Sequence, residues 1–269
     1  TLRPGSTFED GKIITCADVK YGVSRVFATS VITDGPAYLQ QWLDIPKDAD
    51  GDSVYKGPYS GEGQDAFDKA VSCSNNNRTI TFKLNKSVAD FNYLATYGVI
   101  SPVQKKLDKG DAYDLRPQAS GPYKIGKVDF GRDITYVRDP GYWARDLPVR
   151  RGMFNFDRIT YRLYKDNTAQ LEAFKAGEFD FIQAFVAREW ARAYSGKAFD
   201  RGELVKQELR HGNAGDFQGF LLNTRLPKLS DPRVRQALGL AMDYEWMNRQ
   251  LFYNAYTRVR GYFVGSPFE

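Results

Sequence analysis

The hydrophobic residues of this chain recur with two different periods, and the switching between them limits the fold more than any other feature. Thr79 to Leu84 alternates, with Ile80, Phe82 and Leu84 on one face, which is the pattern of a half-buried strand. Val19, Val23, Val26 and Phe27 instead fall four, three and one residues apart, which is one face of a helix. Thr15-Cys16-Ala17-Asp18 precedes that face as a capping box, a hydroxyl N-cap with an acid three residues on. Short helices are predicted at 88–97 and 101–107. Strands follow over Tyr123 to Val128, around Ile134 and Tyr136, and over Ile159, Tyr161 and Leu163.

Further along, Asn167 or Thr168 is expected to cap a helix with Leu171 and Phe174 facing inward. Gly177 stands where a helix C-terminus needs positive φ. A short strand is expected over Phe179 to Gln183, a helix over Val186 to Tyr194, and a strand buried on both faces over Phe217 to Leu222. Asp231-Pro232 reads as an N-cap with proline at N1, opening a helix with Val234, Leu238, Ala241 and Met242 on its apolar side. Strands and helices alternate, so the class is mixed α/β.

Composition excludes several function classes. No apolar run approaches the roughly 18–20 residues of a membrane helix. The net charge of +5 comes from 38 basic and 33 acidic residues that are well mixed, unlike a nucleic-acid-binding tail. No nucleic-acid partner is expected. The basic run from Arg132 to Arg162 is interleaved with Asp133, Asp139, Asp146 and Asp157 and reads as a salt-bridged surface. Aromatics make up 14% of the chain, which serves either a large core or an aromatic-walled cleft.

His211 is the one histidine, so a His-based triad or a multi-His metal site is impossible. No phosphate-binding glycine loop or nucleophile elbow is present. Asp48, Asp50 and Asp52 begin like a calcium loop, but no Glu stands at the twelfth position. No cofactor, metal or catalytic residue is expected. Cys16 and Cys73, 57 positions apart, fit no metal or redox motif. They are either two buried thiols or one disulfide. The disulfide is the favoured reading and would contribute roughly 3–4 kcal/mol in the chain-entropy model. Residues 1–10 lack a basic start and an apolar core, so no signal sequence is visible there; they read as the inside of a domain.

Four ordered motifs carry a resemblance. Phe8, Asp10-Gly11 and Thr15 to Val19 resemble the N-terminal signature of family 5 extracellular solute-binding proteins of ABC importers, although Cys16 interrupts the usual Thr-Ala pair. Ser120-Gly121-Pro122-Tyr123 with Asp139-Pro140-Gly141-Tyr142-Trp143 resembles a hairpin of that family. Asp166 to Asp180, with Ala176-Gly177-Glu178, is similar to its following helix and strand. Phe220-Leu221-Leu222-Asn223-Thr224, then Asp231 to Leu238 and Asp243, is similar to its next segment. Residues 1–118 resemble actinobacterial members, and 128–265 resemble the proteobacterial branch linked to peptides and microcin C.

The resemblance implies a periplasmic-binding-protein-like fold (type II, cluster C) of two lobes that close on a solute. It places residues 1–118 in an extra domain of lobe one, 119–225 in the main α/β sheet of lobe one, and 226–269 at the start of lobe two. Relatives of this kind are nearly twice as long, so the chain is expected to be incomplete at both ends. The implied function is binding of a peptide or peptide-like solute, without catalysis, in the periplasm or lipid-anchored at the cell surface. The implied partners are the solute and a membrane permease, with the receptor a monomer.

Four residues are the candidate solute contacts. Tyr38 follows Gly35-Pro36-Ala37 in a loop that resembles one reaching the ligand in the family. Asn223 ends an expected strand, and Gln183 and Phe185 follow another. The rival readings are a glycan hydrolase using two carboxylates and an interaction protein without transport. Arg233 and Arg235, two apart, cannot share a helix face, so one of them is expected in a buried or interdomain ion pair.

Overall fold

The computed structural model describes the chain apart from residues 34, 36, 37, 95, 111–116, 210–217, 260, 265 and 267–269, so His211 and Phe217 lie outside the described residues. It forms two compact units, Thr1–Leu163 and Tyr164–Glu269. The helices of the first unit are α1 (Cys16–Arg25), α2 (Tyr38–Trp42), α3 (Gln64–Ala70) and α4 (Phe91–Leu94). Its strands are β1 (Val71–Ser74), β2 (Thr79–Phe82), β3 (Tyr123–Asp129), β4 (Asp133–Arg138) and β5 (Arg158–Arg162). The second unit contains α5 (Asn167–Lys175), α6 (Ala187–Arg192), α7 (Lys197–Asp200), α8 (Pro227–Ser230), α9 (Pro232–Ala241) and α10 (Tyr244–Leu251).

Helix α1 begins where its capping box requires. The Thr15 side chain accepts from the Asp18 amide, and Asp18 Oδ2 accepts from the Thr15 amide at 2.8 Å, so both otherwise orphaned donors are satisfied. Val19 and Val23 are buried on the predicted face, as is Phe27 beyond the helix end. Phe27, Tyr55 and Phe67 pack ring to ring, with Tyr55 and Phe67 stacked at 4.4 Å between centroids. Leu39, Leu43 and Val71 complete this core. The helix passes close to the Gly98–Ile100 turn and its neighbours: a Cβ on Gly22 would meet the Ser101 carbonyl oxygen at 2.0 Å.

Strands β1 and β2 form an antiparallel pair, with Cys73 opposite Ile80. Strand β2 ends before Leu84, which instead makes an isolated bridge to Leu43 at the end of α2. Cys16 at the start of α1 and Cys73 on β1 are bonded through sulfur, with Cα atoms 5.8 Å apart. The other sheet is antiparallel in the order β3-β4-β5, with a register shift between Ile125 and Val128. Gly126 lies in that bulge, and a Cβ there would meet the Val137 side chain at 2.9 Å.

The motif residues hold this hairpin together. Asp139 donates its amide to the Pro122 carbonyl, accepts from the Gly141 amide and pairs with Lys124 at 3.0 Å. Trp143 Nε1 donates to the Ser120 carbonyl. Asp139 is therefore buried, in contrast to the rest of the predicted salt-bridged surface. There Arg132 pairs with Asp129 and Asp133, Arg138 with Asp157, and Arg145 with Asp146.

In the second unit the N-cap of α5 is Asp166, one residue before Asn167 and two before Thr168; its carboxylate accepts from the Ala169 amide at 2.8 Å. Leu171, Phe174 and Tyr194 form a small core, with Phe179, Ile182 and Trp190 packed against it. Two expected strands do not form. Residues 179–183 and the described part of the Phe217–Leu222 run have no ladder partner among the described residues. Phe220 and Leu221 are 84% and 86% exposed. A run can be apolar enough for a central strand, but only neighbouring strands make it one.

Helix α9 starts at Asp231-Pro232 as predicted, yet its apolar side, Val234 and Leu238 included, is uncovered. The expected buried ion pair at Arg233 or Arg235 is also absent among the described residues. Arg233 makes an exposed pair with its own cap, Asp231, while Arg235 donates to the Leu229 and Ser230 carbonyls. Arginines in the first turn of a helix have the cap and the preceding carbonyls within reach, so a distant acid is not needed.

Candidate functional site

The first unit contains an open groove of about 850 Å³ lined chiefly by aromatic and aliphatic side chains. Its walls come from α2 and from the segment running through α4 to the 3₁₀ turn at Gly98–Ile100. Tyr38, Trp42, Tyr93 and Tyr97 supply the rings, Val88 and Val99 supply aliphatic surface, and Asp90 supplies a carboxylate.

Local packing dictates this layout. Leu39 and Leu43 are buried in the core and fix α2 by one side, which leaves Tyr38 half exposed on the other. Gln40 Nε2 donates to the Val26 carbonyl at 2.7 Å and ties α2 to the end of α1. The Asn85 amide donates to the Trp42 carbonyl, and its side chain donates to the Gln41 carbonyl, so the chain entering the opposite wall is held to α2. Leu94, buried, anchors α4, and Tyr93 stays 65% exposed. Tyr38 and Tyr97 meet edge to face at 6.1 Å.

The same unit holds a buried anchor at Asp108. The side chain of Asp108 is fully enclosed, and Oδ2 accepts from Arg25 Nε at 2.9 Å, Tyr21 at 3.0 Å and Tyr59 at 2.7 Å. Burial, reinforced by Asp108, raises the Tyr21 hydroxyl above its usual range, and burial raises Tyr59 likewise. Another motif carboxylate, Asp10, organises its own turn. Lys12 donates to it through Nζ at 2.6 Å and through its amide, and this pairing holds the carboxyl down at about 2.

Of the four candidate contacts, Tyr38 belongs to the first unit and lines the groove. Gln183, Phe185 and Asn223 belong to the second. Ile182 and Ala184 pack on the Leu171 core, so Gln183 and Phe185 between and beyond them are exposed. Asn223 is exposed, and its Oδ1 accepts from the Arg225 amide and Nε, stabilising the turn before α8. Tyr93, Tyr97 and Asp90 were not among the sequence candidates. No spacing signal marks them, because Tyr97 lies beyond the end of α4, in extended backbone before the 3₁₀ turn. Among the described residues no group of three His, Cys, Asp or Glu side chains could hold a metal ion. No helix among them is long and apolar enough to cross a membrane.

The fold is that of the two-lobed periplasmic peptide-binding proteins. The Escherichia coli murein tripeptide binding protein MppA matches 95% of this chain with a TM-score of 0.59, at 18% identity and over 46% of its own length. The chain belongs to the bacterial extracellular solute-binding proteins, family 5, whose model (its "Middle" part) matches residues 1–269. A Brucella suis protein named "Putative binding protein BRA0576/BS1330_II0571" is 43% identical over 274 residues, which is 99% of this chain and 39% of that protein. An Agrobacterium fabrum protein named "Probable peptide-binding protein YejA" is 38% identical over 149 residues, 55% of this chain and 24% of its own. The chain thus spans less than half the length of the relatives it matches. The matched family and its structural neighbours are binding proteins.

Proposed function

We propose that this chain is part of a receptor that captures a peptide or peptide-like solute between two lobes and delivers it to the membrane permease of an ABC importer. The receptor works outside the cytoplasm as a monomer, in the periplasm or lipid-anchored at the cell surface, and alters no bond in its solute. The observation that carries this reading is the family match along all 269 residues. In this reading residues 1–118 are the extra domain of lobe one, 119–225 contribute its main sheet, and 226–269 begin lobe two.

Lobe closure would bury the solute, with backbone groups pairing its main chain and aromatic walls covering its side chains. Tyr38, Gln183, Phe185 and Asn223 are the assigned contacts. Tyr38 is the best supported, because it already lines a groove and nothing covers half of its ring. Calorimetry with the complete two-lobed protein tests the assignment. Tyr38→Ala is expected to weaken peptide binding about tenfold, the loss of a well-packed aromatic contact, and Asn223→Ala to weaken it less. Unchanged affinity in both variants refutes these contacts.

A further inference from the structure

We propose that the Tyr38–Tyr97 groove is the subsite for a lysine or arginine side chain of the bound peptide, with Asp90 as its counter-charge. This rests on the peptide-receptor reading and adds the class of side chain that the groove selects.

Three observations converge on a long cationic side chain. First, the molecule carries a net charge of +5, yet among the described residues lining the groove Asp90 alone is charged. The groove is therefore a negative site on a positive molecule. Second, the Asp90 carboxylate has no hydrogen-bond or ion-pair partner among the described residues. Most acids elsewhere in the first unit are engaged: Asp10 by Lys12, Asp44 by Lys83, Asp48 by Lys56, Asp68 by Lys20 and Asp139 by Lys124. Third, the walls suit the remainder of such a side chain. Tyr38 and Tyr97 are about half exposed and Tyr93 more so, and their rings can attract a cation. Val88 and Val99 offer aliphatic surface for the methylene stem, as lysine and arginine stems lie on apolar surface while their heads reach a charge.

A purely apolar side chain would use the rings and leave the carboxylate unpaired. An acidic one would face Asp90 directly. A peptide's terminal ammonium carries the same charge but no stem, so it would use only part of the walls.

The test is calorimetry on the complete two-lobed protein with trialanine variants carrying lysine or its uncharged isostere norleucine at each position in turn, each with a free or acetylated N-terminus. Lysine at one position is expected to bind about tenfold more tightly than norleucine, the scale of a partly desolvated cation–π contact plus an ion pair. That preference should survive acetylation. Asp90→Asn should reduce it severalfold while changing the norleucine peptide's affinity much less, the remainder being the tyrosine rings' share. Equal binding of lysine and norleucine peptides, or a preference undiminished in Asp90→Asn, overturns the subsite. An effect of Asp90→Asn confined to free N-termini assigns the groove to the terminal ammonium and overturns the side-chain assignment. Failure of every peptide to bind refutes the receptor reading as well, which separates the two.

Discussion

Tyr55 shows how one polar atom can make stability depend on pH. Its ring is stacked in the core and only 1% exposed, and its hydroxyl has no hydrogen-bond partner among the described residues. The nearby Ser24 hydroxyl already donates to the Tyr21 carbonyl at 2.6 Å. Burial pushes the Tyr55 hydroxyl up from 10.0 to about 12, with Ser24 offsetting part of that shift because it could donate to a phenolate. The folded-state value lies above the unfolded one. The contribution is therefore complete below pH 10 and is lost as the pH rises toward 12, because the unfolded chain releases its proton first. Tyr55→Phe should be near neutral at pH 7 and should flatten the fall in stability between pH 10 and 12, measured by urea unfolding. Tyr21 and Tyr59, also raised by burial, leave a residual slope.

Asp108 is the opposite case, a buried charge with all of its partners in place. Asp108→Asn keeps the shape but takes the carboxylate away from Arg25, whose side chain is 13% exposed. Breaking a buried pair in this way costs about 3 kcal/mol. The exposed Arg233–Asp231 pair, removed by Arg233→Ala, should leave thermal stability nearly unchanged. Thermal unfolding of both variants checks the contrast.

At the scale of elements, legibility followed locality. Helix α1 could be read because Thr15, Asp18 and the Val19–Val23 face are all within two turns of one another. The start of α9 was equally local, an Asp cap followed by Pro. Asp166, Asn167 and Thr168 are all good caps in succession, so only coordinates reveal which one the chain uses. The strands expected at 179–183 and 217–222 do not form among the described residues, for a different reason. Apolar runs state an appetite for burial, whereas a strand also requires a neighbour to accept its hydrogen bonds.

The candidate site was legible only in part. Tyr38 came from the resemblance of its loop, whereas Asp90, Tyr93 and Tyr97 join it through the fold of residues 85–99. The bond between Cys16 and Cys73 fastens α1 to β1, elements 57 residues apart in sequence. Unreduced protein should have a mass lacking two hydrogens. The double Cys→Ala variant should lose roughly 3–4 kcal/mol of stability. Two free thiols in mass spectrometry of the unreduced protein would contradict the bond.

For the whole molecule, the contrast between the two units matters most. The first has a core centred on Phe27, Tyr55 and Phe67, and the Tyr38–Tyr97 groove is lined by residues of that unit alone. In the second, α9 and α10 have no buried residues, and Phe220, Leu221, Leu240 and Trp246 are exposed by half or more. Exposed apolar side chains of this kind are surface that further protein can cover. The chain spans 39% of the length of the Brucella suis relative. The central claim is that the complete protein holds a peptide and changes none of its bonds. Native mass spectrometry of the complete protein, purified from its own compartment without added ligand, tests this most directly. The account predicts a bound species that dissociates intact and fragments as a peptide, with lysine or arginine in its sequence. A bound sugar, or a peptide released as cleaved products, would contradict it.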